Sequence, residues 1–278
     1  MRRARSVGLA LAFALAATAC ALAVDTSGLT GGSSGASPAD AGGDAPAPGR
    51  DAAGPAPDAG GGDASADADA AVTRFCAPGH GHALCADFDE GAYLAGFDNQ
   101  VIGPVGEVVA ASERSRSAPK SLRTTLGRRE STIEYAVVIH SRTAPWRRVV
   151  TEFDVFLEQP DFKAADINAG IFTAGFYGEL DANVAFSVGP DYTTLAVPSS
   201  AISGPAFPFD RWVHVRFDMD PLTGKVSSTV DGARLERSFA PTAQGNSPTT
   251  ALSFGVSGYN KPCPTFRVFY DNVVVDYP

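Results

Sequence analysis

The stretch TEFDVFLE, residues 151–158, carries the residues whose types and spacing come closest to catalytic chemistry. Strand alternation predicts Glu152, Asp154 and Glu158 on one face of an extended strand. Two carboxyl groups hydrolyse a glycosidic bond as nucleophile and acid/base when they lie about 5–5.5 Å apart. Glu152 and Glu158 are six residues apart, or roughly 20 Å along a strand, and Phe156 occupies the intervening slot. The spacing therefore argues against a hydrolase pair.

Other catalytic patterns are weak. The chain has no G-x-S-x-G nucleophile elbow, and His140 and His214 fall within predicted strands, where a hydrogen-bonded structural histidine is the simpler interpretation. These observations favour a protein without catalytic activity. A divergent glycoside hydrolase or polysaccharide lyase stays open as a minor alternative.

The cysteines indicate an oxidising compartment. Cys76 and Cys85 enclose the short loop CAPGHGHALC and are predicted to form a disulfide, with a Cys85–Cys263 bridge as the alternative. The loop also contains two histidines, but the spacing matches no zinc-finger pattern.

The chain begins with an export signal, residues 1–20, in which three arginines precede a short apolar run. Its end, Ala17-Thr18-Ala19-Cys20, resembles a bacterial lipobox, which implies acylation of Cys20. The alternative is an ordinary cleaved signal peptide. Ala21 stands where an Asp retains Gram-negative lipoproteins in the inner membrane. We therefore predict an outer-membrane lipoprotein that faces the periplasm or the cell surface and contacts the membrane only through its lipid.

Residues 21–73 are almost entirely Ala, Gly, Pro, Asp and Ser, with eight Asp, one Arg and no aromatic residue. Such a segment cannot bury enough apolar surface to offset its ordering entropy, so a disordered linker is predicted. The whole chain has a net charge of −9. Since it lacks a basic patch, nucleic acid is excluded as a partner.

Residues 74–278 consist of short alternating runs separated by turn residues, with no run at helical period. We predict one all-β domain, a two-sheet antiparallel β-sandwich of the jelly-roll type. The predicted strands are 84–90, 131–141, 146–158, 169–178, 183–189, 192–198, 211–220, 224–232, 250–258 and 265–277.

Two segments carry a family resemblance. FDRWVHVRF at 209–217, followed by a strand that ends in TVDG at 229–232, resembles a hairpin of the concanavalin A-like and laminin-G jelly rolls. FYDNVVVD at 269–276 is similar to the closing strand of that superfamily, which pairs beside the opening strand, here LCADFDE at 84–90. The resemblance covers about residues 84–278.

The resemblance implies a structural calcium ion between the opening and closing strands. Asp271 matches the closing-strand position, and Asp89 or Glu90 could approach it. Carboxylates and backbone carbonyls are the oxygens that Ca²⁺ prefers.

The resemblance also implies a glycan-binding sheet face, although a fold alone does not determine function. We predict a non-catalytic, lectin-like domain that binds a polysaccharide or another glycan. The alternative is a structural or protein-interaction module of the envelope. The predicted ligand-binding residues are Glu152, Asp154, Trp146, Tyr177 and Tyr192.

Overall fold

The computed structural model describes residues 75, 76, 79, 81–89, 92–128, 133–145, 147–163, 166, 168–178, 181–241, 248–258 and 262–278. The predicted signal and linker, together with Cys20, Glu90 and Trp146, lie outside these residues. The described part of the chain contains no helix long and apolar enough to cross a membrane.

The described residues form an all-β fold of two antiparallel sheets. In chain order the strands are β1 (Leu84–Ala86), β2 (Asn99–Ile102), β3 (Gly106–Ala111), β4 (Ser121–Leu126), β5 (Glu134–Thr143), β6 (Val149–Leu157), β7 (Ala169–Tyr177), β8 (Ala182–Val188), β9 (Thr193–Val197), β10 (Ser200–Gly204), β11 (Trp212–Asp220), β12 (Lys225–Val230), β13 (Ala233–Ser238), β14 (Thr249–Gly258) and β15 (Phe266–Asp276).

The strands divide into an eight-stranded and a seven-stranded sheet. The first has the order β13-β12-β11-β6-β15-β4-β3, with β1 also paired to β15. The second has the order β10-β9-β8-β7-β14-β5-β2. Because neighbouring strands are often distant in sequence, each sheet face combines side chains from segments far apart along the chain. The predicted β-sandwich is confirmed.

Alternation decides which side chains enter the core, and β11 shows it clearly. Val213, Val215 and Phe217 are fully buried, whereas His214 is exposed and Arg216 is half-buried. This period of two is what a sheet with one buried and one solvated face requires.

Aromatic rings fill the space between the sheets. Phe153 of the eight-stranded sheet meets Phe254 of the other with ring centroids 5.5 Å apart, and Phe172 stacks on Phe217 at 4.4 Å. The Tyr270 hydroxyl, buried among them, donates a hydrogen bond to the Ile171 carbonyl. Paired rings at these separations add stability beyond the apolar area that they bury.

The opening and closing strands lie side by side, as predicted. Leu84 of β1 is opposite Val275 of β15, and the two strands are antiparallel.

The predicted disulfide between Cys76 and Cys85 is present and ties the segment before β1 to that strand. Cys263 is buried and takes no part in this disulfide.

Candidate functional site

The acidic strand face of residues 151–158 lies on the outside of the eight-stranded sheet, where basic side chains pair with it. His214 Nδ1 is 3.1 Å from an Asp154 carboxylate oxygen, and His214 Nε2 is 3.4 Å from Glu152. The Arg216 guanidinium donates to the other oxygen of Glu152. The carboxylates therefore already have cationic or hydrogen-bonding partners within the protein.

Glu158 lies apart from this group. Its carboxylate accepts a hydrogen bond from Arg267 at 3.1 Å. Between Glu158 and Asp154 stands Phe156, which packs against Trp212 and Phe269 with ring centroids 5.8 and 6.0 Å away. An apolar ring thus fills the slot that the hydrolase interpretation would assign to an acid.

A depression of about 610 Å³ is lined by side chains from both sheets, Glu152 among them. Its lining includes Arg142, Arg148 and Arg216 together with Glu152 and Asp276. Arg148 Nε also donates to Asp218 at 2.7 Å, and this hydrogen bond lowers the pKa of that carboxyl. The depression combines both signs of charge and has no single electrostatic preference.

Asp271, the predicted calcium ligand, is fully buried and accepts several hydrogen bonds. Its Oδ2 accepts from the backbone N–H groups of Arg116 and Ser117, at 2.7 and 2.9 Å. Its Oδ1 accepts from the Ser117 hydroxyl and the Asn272 N–H, both at 2.8 Å. Burial outweighs these donors and raises the pKa of Asp271 to about 6.

Asp89 is held by the same loop, because its carboxylate accepts the Lys120 N–H at 2.8 Å. A Ca²⁺ ion needs six to eight oxygen ligands. Since protein donors already occupy the oxygens of Asp271, the described side chains do not fit that requirement. No group of three or more His, Cys, Asp or Glu among the described residues could hold a metal. The calcium site stays a prediction that this geometry does not favour.

The outer face of the seven-stranded sheet has a different character, and we name it the neutral face. Its strands direct small, polar or aliphatic side chains and a few tyrosines outward, and no charged side chain projects from it in the described strands. Its residues are Asn99, Val101, Tyr135, Val137, Ile139, Ser141, Thr173, Tyr177, Asn183, Ala185, Ser187, Thr194, Ala196, Ala201, Ser203, Ala251, Ser253 and Ser257.

The centre of the neutral face is a floor of short side chains. The strand register aligns six of them across six strands, at about 4.8 Å per strand, so the floor is roughly 24 Å wide. In order across the sheet these residues are Ile139, Ser253, Thr173, Ala185, Ala196 and Ala201. An extended molecule could lie on this floor without meeting a bulky side chain.

Two tyrosines border the floor at opposite ends of β8, and each lies over a glycine. A Cβ atom at Gly175 would be 2.4 Å from the Tyr177 hydroxyl oxygen, and one at Gly189 would be 2.6 Å from the Tyr192 ring. The glycines therefore provide the space in which the rings lie against the sheet. From Asn183, beside Tyr177, to Gly189 is roughly 20 Å along the strand.

Charges of both signs lie at the described margins of this floor. Arg237 Nη2 donates a hydrogen bond to the carbonyl of Ala201 at 2.9 Å, and carboxylates stand near the two tyrosines. Burial, and then the charge of Asp181, raises the pKa of Tyr177, while burial and Asp191 do the same for Tyr192. Asp98 precedes β2 and accepts a hydrogen bond from the Ser141 hydroxyl at 2.9 Å. The described margins of the neutral face thus combine these carboxylates with the Arg237 guanidinium.

The structure divides the predicted ligand-binding residues between the two sheets. Glu152 and Asp154 lie on the outer face of the eight-stranded sheet, whereas Tyr177 belongs to the neutral face of the other sheet and Tyr192 borders its floor. Trp146 lies outside the described residues. The predicted residues therefore do not form one site.

The small floor residues were not singled out from the sequence. Residues such as Thr173 and Ser253 belong to no motif, and their types are common on any sheet. The available signal is the alternation in FTAGF (172–176) and ALSFGVSG (251–258), where Phe and Leu enter the core and the residues between them are small.

No family model and no curated protein matches this chain. Two solved structures are similar to it over most of their own length. One is an endo-β-1,4-glucuronan lyase from the fungus Trichoderma reesei, with 13% identity and a TM-score of 0.53 over 71% of this chain and 96% of that one. The other is described as cellulose induced protein, Cip1, with 10% identity and a TM-score of 0.53 over 70% and 97%. The chain shares the β-sandwich jelly-roll fold of these two proteins.

Proposed function

We propose that this protein binds a glycan without cleaving it, and that the neutral face is the binding surface. The observation that carries the proposal is the floor of short, uncharged side chains between Tyr177 and Tyr192. A glycan presents hydroxyl groups that donate and accept hydrogen bonds, and ring faces that are partly apolar. The half-buried hydroxyls of Thr173 and Thr194 complement the first, and the half-buried ring of Tyr192 complements the second.

The same residues argue against catalysis on this face. Hydrolysis needs two carboxyl groups across the scissile bond, and elimination from a uronate needs a base together with a group that stabilises the developing negative charge. The side chains that project from the described strands of the neutral face include no carboxylate, histidine, lysine or arginine. One of the similar structures is described as a lyase, but a shared fold does not transfer its chemistry.

A glycan array probed with the full chain tests the proposal. Ala185 lies in the centre of the floor, so Ala185→Leu should obstruct a ligand and weaken binding about tenfold, or about 1.4 kcal/mol. The control Ala233→Leu makes the same change on β13 of the other sheet and should have no effect. Glu152→Gln and Asp154→Asn also lie on that opposite side and should leave binding unchanged.

Several outcomes would contradict the proposal. Equal losses in Ala185→Leu and Ala233→Leu would exclude the neutral face as the site. New reducing ends or unsaturated sugars after incubation would show an enzyme. No binding to any glycan would favour the alternative, a structural or protein-interaction module of the envelope. Repeating the array with EDTA tests calcium, since a calcium-dependent site would lose binding.

A further inference from the structure

We infer that the ligand of the neutral face is an uncharged polysaccharide, and that the face discriminates against polyuronates. The inference rests on the proposed function and adds the chemical class of the ligand. It follows from where the charges of this domain lie relative to the floor.

The floor offers no cation to an acidic sugar. Proteins recognise carboxylates mainly through charge-assisted hydrogen bonds from Arg or Lys, which are roughly twice as strong as neutral ones. The described strands direct neither residue type onto the neutral face. A polyuronate, with one carboxylate on each sugar, would exchange its hydration for neutral hydroxyls and amides, which is unfavourable for an ion.

The margins of the neutral face add repulsion. Asp181 accepts the Gly178 N–H at 3.1 Å beside Tyr177, and Asp191 precedes Tyr192, so one carboxylate stands at each of the two sides of the floor that the tyrosines border. Asp98 adds a third carboxylate beside Ser141. Like charges placed opposite a ligand are an effective way to reject the wrong one.

Three arginines that could attract an acidic glycan lie on the other sheet, and a fourth, Arg237, is engaged by the Ala201 carbonyl at the end of the floor. Arg148 and Arg216 pair with Asp218 and Glu152 on the outer face of the eight-stranded sheet. Arg123 pairs with Glu107 at 2.8 Å on the same face. These guanidinium groups are separated from the neutral face by the hydrophobic core, so they cannot contact a ligand bound there.

The shape of the floor suits an extended chain. Its residues are short across six strands, and Ala251, Ser253 and Ser257 are buried although they point outward. The strand register aligns the six floor residues in one row across the sheet. A linear neutral polysaccharide can therefore contact several strands at once through hydroxyl groups.

Affinity electrophoresis of the full chain separates the two ligand classes. The gels contain laminarin, xylan or glucomannan as neutral probes, and alginate or polyglucuronate as acidic ones. We expect at least one neutral polysaccharide to retard the protein and neither acidic one to do so. Thr173→Lys places a cation on the floor and should weaken the neutral interaction about tenfold while creating retardation by a polyuronate.

Thr229→Lys is the matched control, because Thr229 is also half-buried but projects from the outer face of the eight-stranded sheet, opposite Arg216. It should change neither interaction. Retardation of the native chain by a polyuronate, abolished by Ala185→Leu, would overturn the inference about charge but keep the neutral face as a glycan site. Neutral retardation that Thr173→Lys leaves unchanged would also overturn it. Retardation by no probe would overturn both proposals.

Discussion

Asp271 is the residue in which burial and hydrogen bonding act against each other most directly. Its carboxylate accepts N–H and O–H groups, which favour the charged form, yet it is fully buried, which disfavours it. Burial is the larger effect and raises the pKa to about 6, from an ordinary value of 3.8. This residue therefore links the stability of the fold to pH.

Stability should fall as this carboxyl ionises. A raised pKa means that the folded state prefers the protonated form, so the contribution is complete below about pH 4 and is lost as pH rises through about 6. Urea unfolding of the native chain and of Asp271→Asn between pH 4 and pH 7 measures it. From pH 4 to pH 7 the free energy of unfolding of the native chain should fall by about 2–3 kcal/mol relative to that of the variant. A difference that stays constant or grows with pH would mean that the hydrogen-bond donors dominate instead.

Gly175 provides a second prediction at the residue scale. A Cβ there would lie 2.4 Å from the Tyr177 hydroxyl, so Gly175→Ala should displace the ring and cost about 1–3 kcal/mol of unfolding free energy. Glycan binding should weaken too, because the ring borders the floor. In a Tyr177→Ala background the same substitution should cost little. An unchanged cost in that background would locate the strain in the backbone and not against the tyrosine.

At the scale of the strand, β15 carries an irregularity at the centre of the sandwich. The register with β6 shifts between Asp271 and Val274, and Asn272 has a φ of 51°. The Asn272 side chain donates to Asp154 at 2.8 Å and accepts the Ser117 hydroxyl at 2.9 Å. The bulge therefore joins β15, β6 and the loop before β4.

Asn272→Ala and Asn272→Gly separate the two roles of this residue. Both remove the side-chain hydrogen bonds, but only alanine must also adopt the left-handed conformation, which costs about 1–2 kcal/mol. The alanine variant should therefore be less stable than the glycine variant by about that amount in thermal or urea unfolding. Equal stabilities would indicate that the backbone relaxes out of the bulge.

The strands that sequence alternation predicted are mostly those inside the sheets. β11 alternates apolar and polar residues strictly because one of its faces packs in the core and the other is solvated, and β6 does so through its central residues. The strands at the ends of the two sheet orders are β2, β3, β10 and β13, and sequence alternation predicts none of them. Their side chains are exposed on more than one side, so the hydrophobic period is faint. β4 is internal, but Thr124 points into the core and hides its pattern.

At the scale of the whole molecule, the two outer faces have opposite electrostatic character. One carries carboxylates and guanidinium groups in pairs, and the other carries no charge on its described strands. Alternation predicts two faces for each strand, but it does not reveal which strands assemble into which sheet. The neutral floor combines β5, β7, β8, β9, β10 and β14, so it exists only after folding.

Display at the outer membrane is a proposal about the whole chain that rests on its sequence. Cys20→Ser should prevent acylation and move the protein from the detergent-rich to the aqueous phase in a phase-partition experiment. The same variant should no longer incorporate a labelled fatty acid. Thr18→Ser, two residues earlier, is the control and should leave both readouts unchanged. An unlabelled native chain in the aqueous phase would indicate an ordinary cleaved signal peptide.

A surface without ions also has nothing for dissolved salt to screen. Interactions between charges weaken as ionic strength rises, with a Debye length of about 10 Å at 0.1 M and about 3 Å at 1 M. Hydroxyl hydrogen bonds and ring contacts depend far less on it. Retention on a neutral polysaccharide should therefore persist from dilute buffer to strong brine, a tolerance that a site built on the arginines of the opposite face would lack.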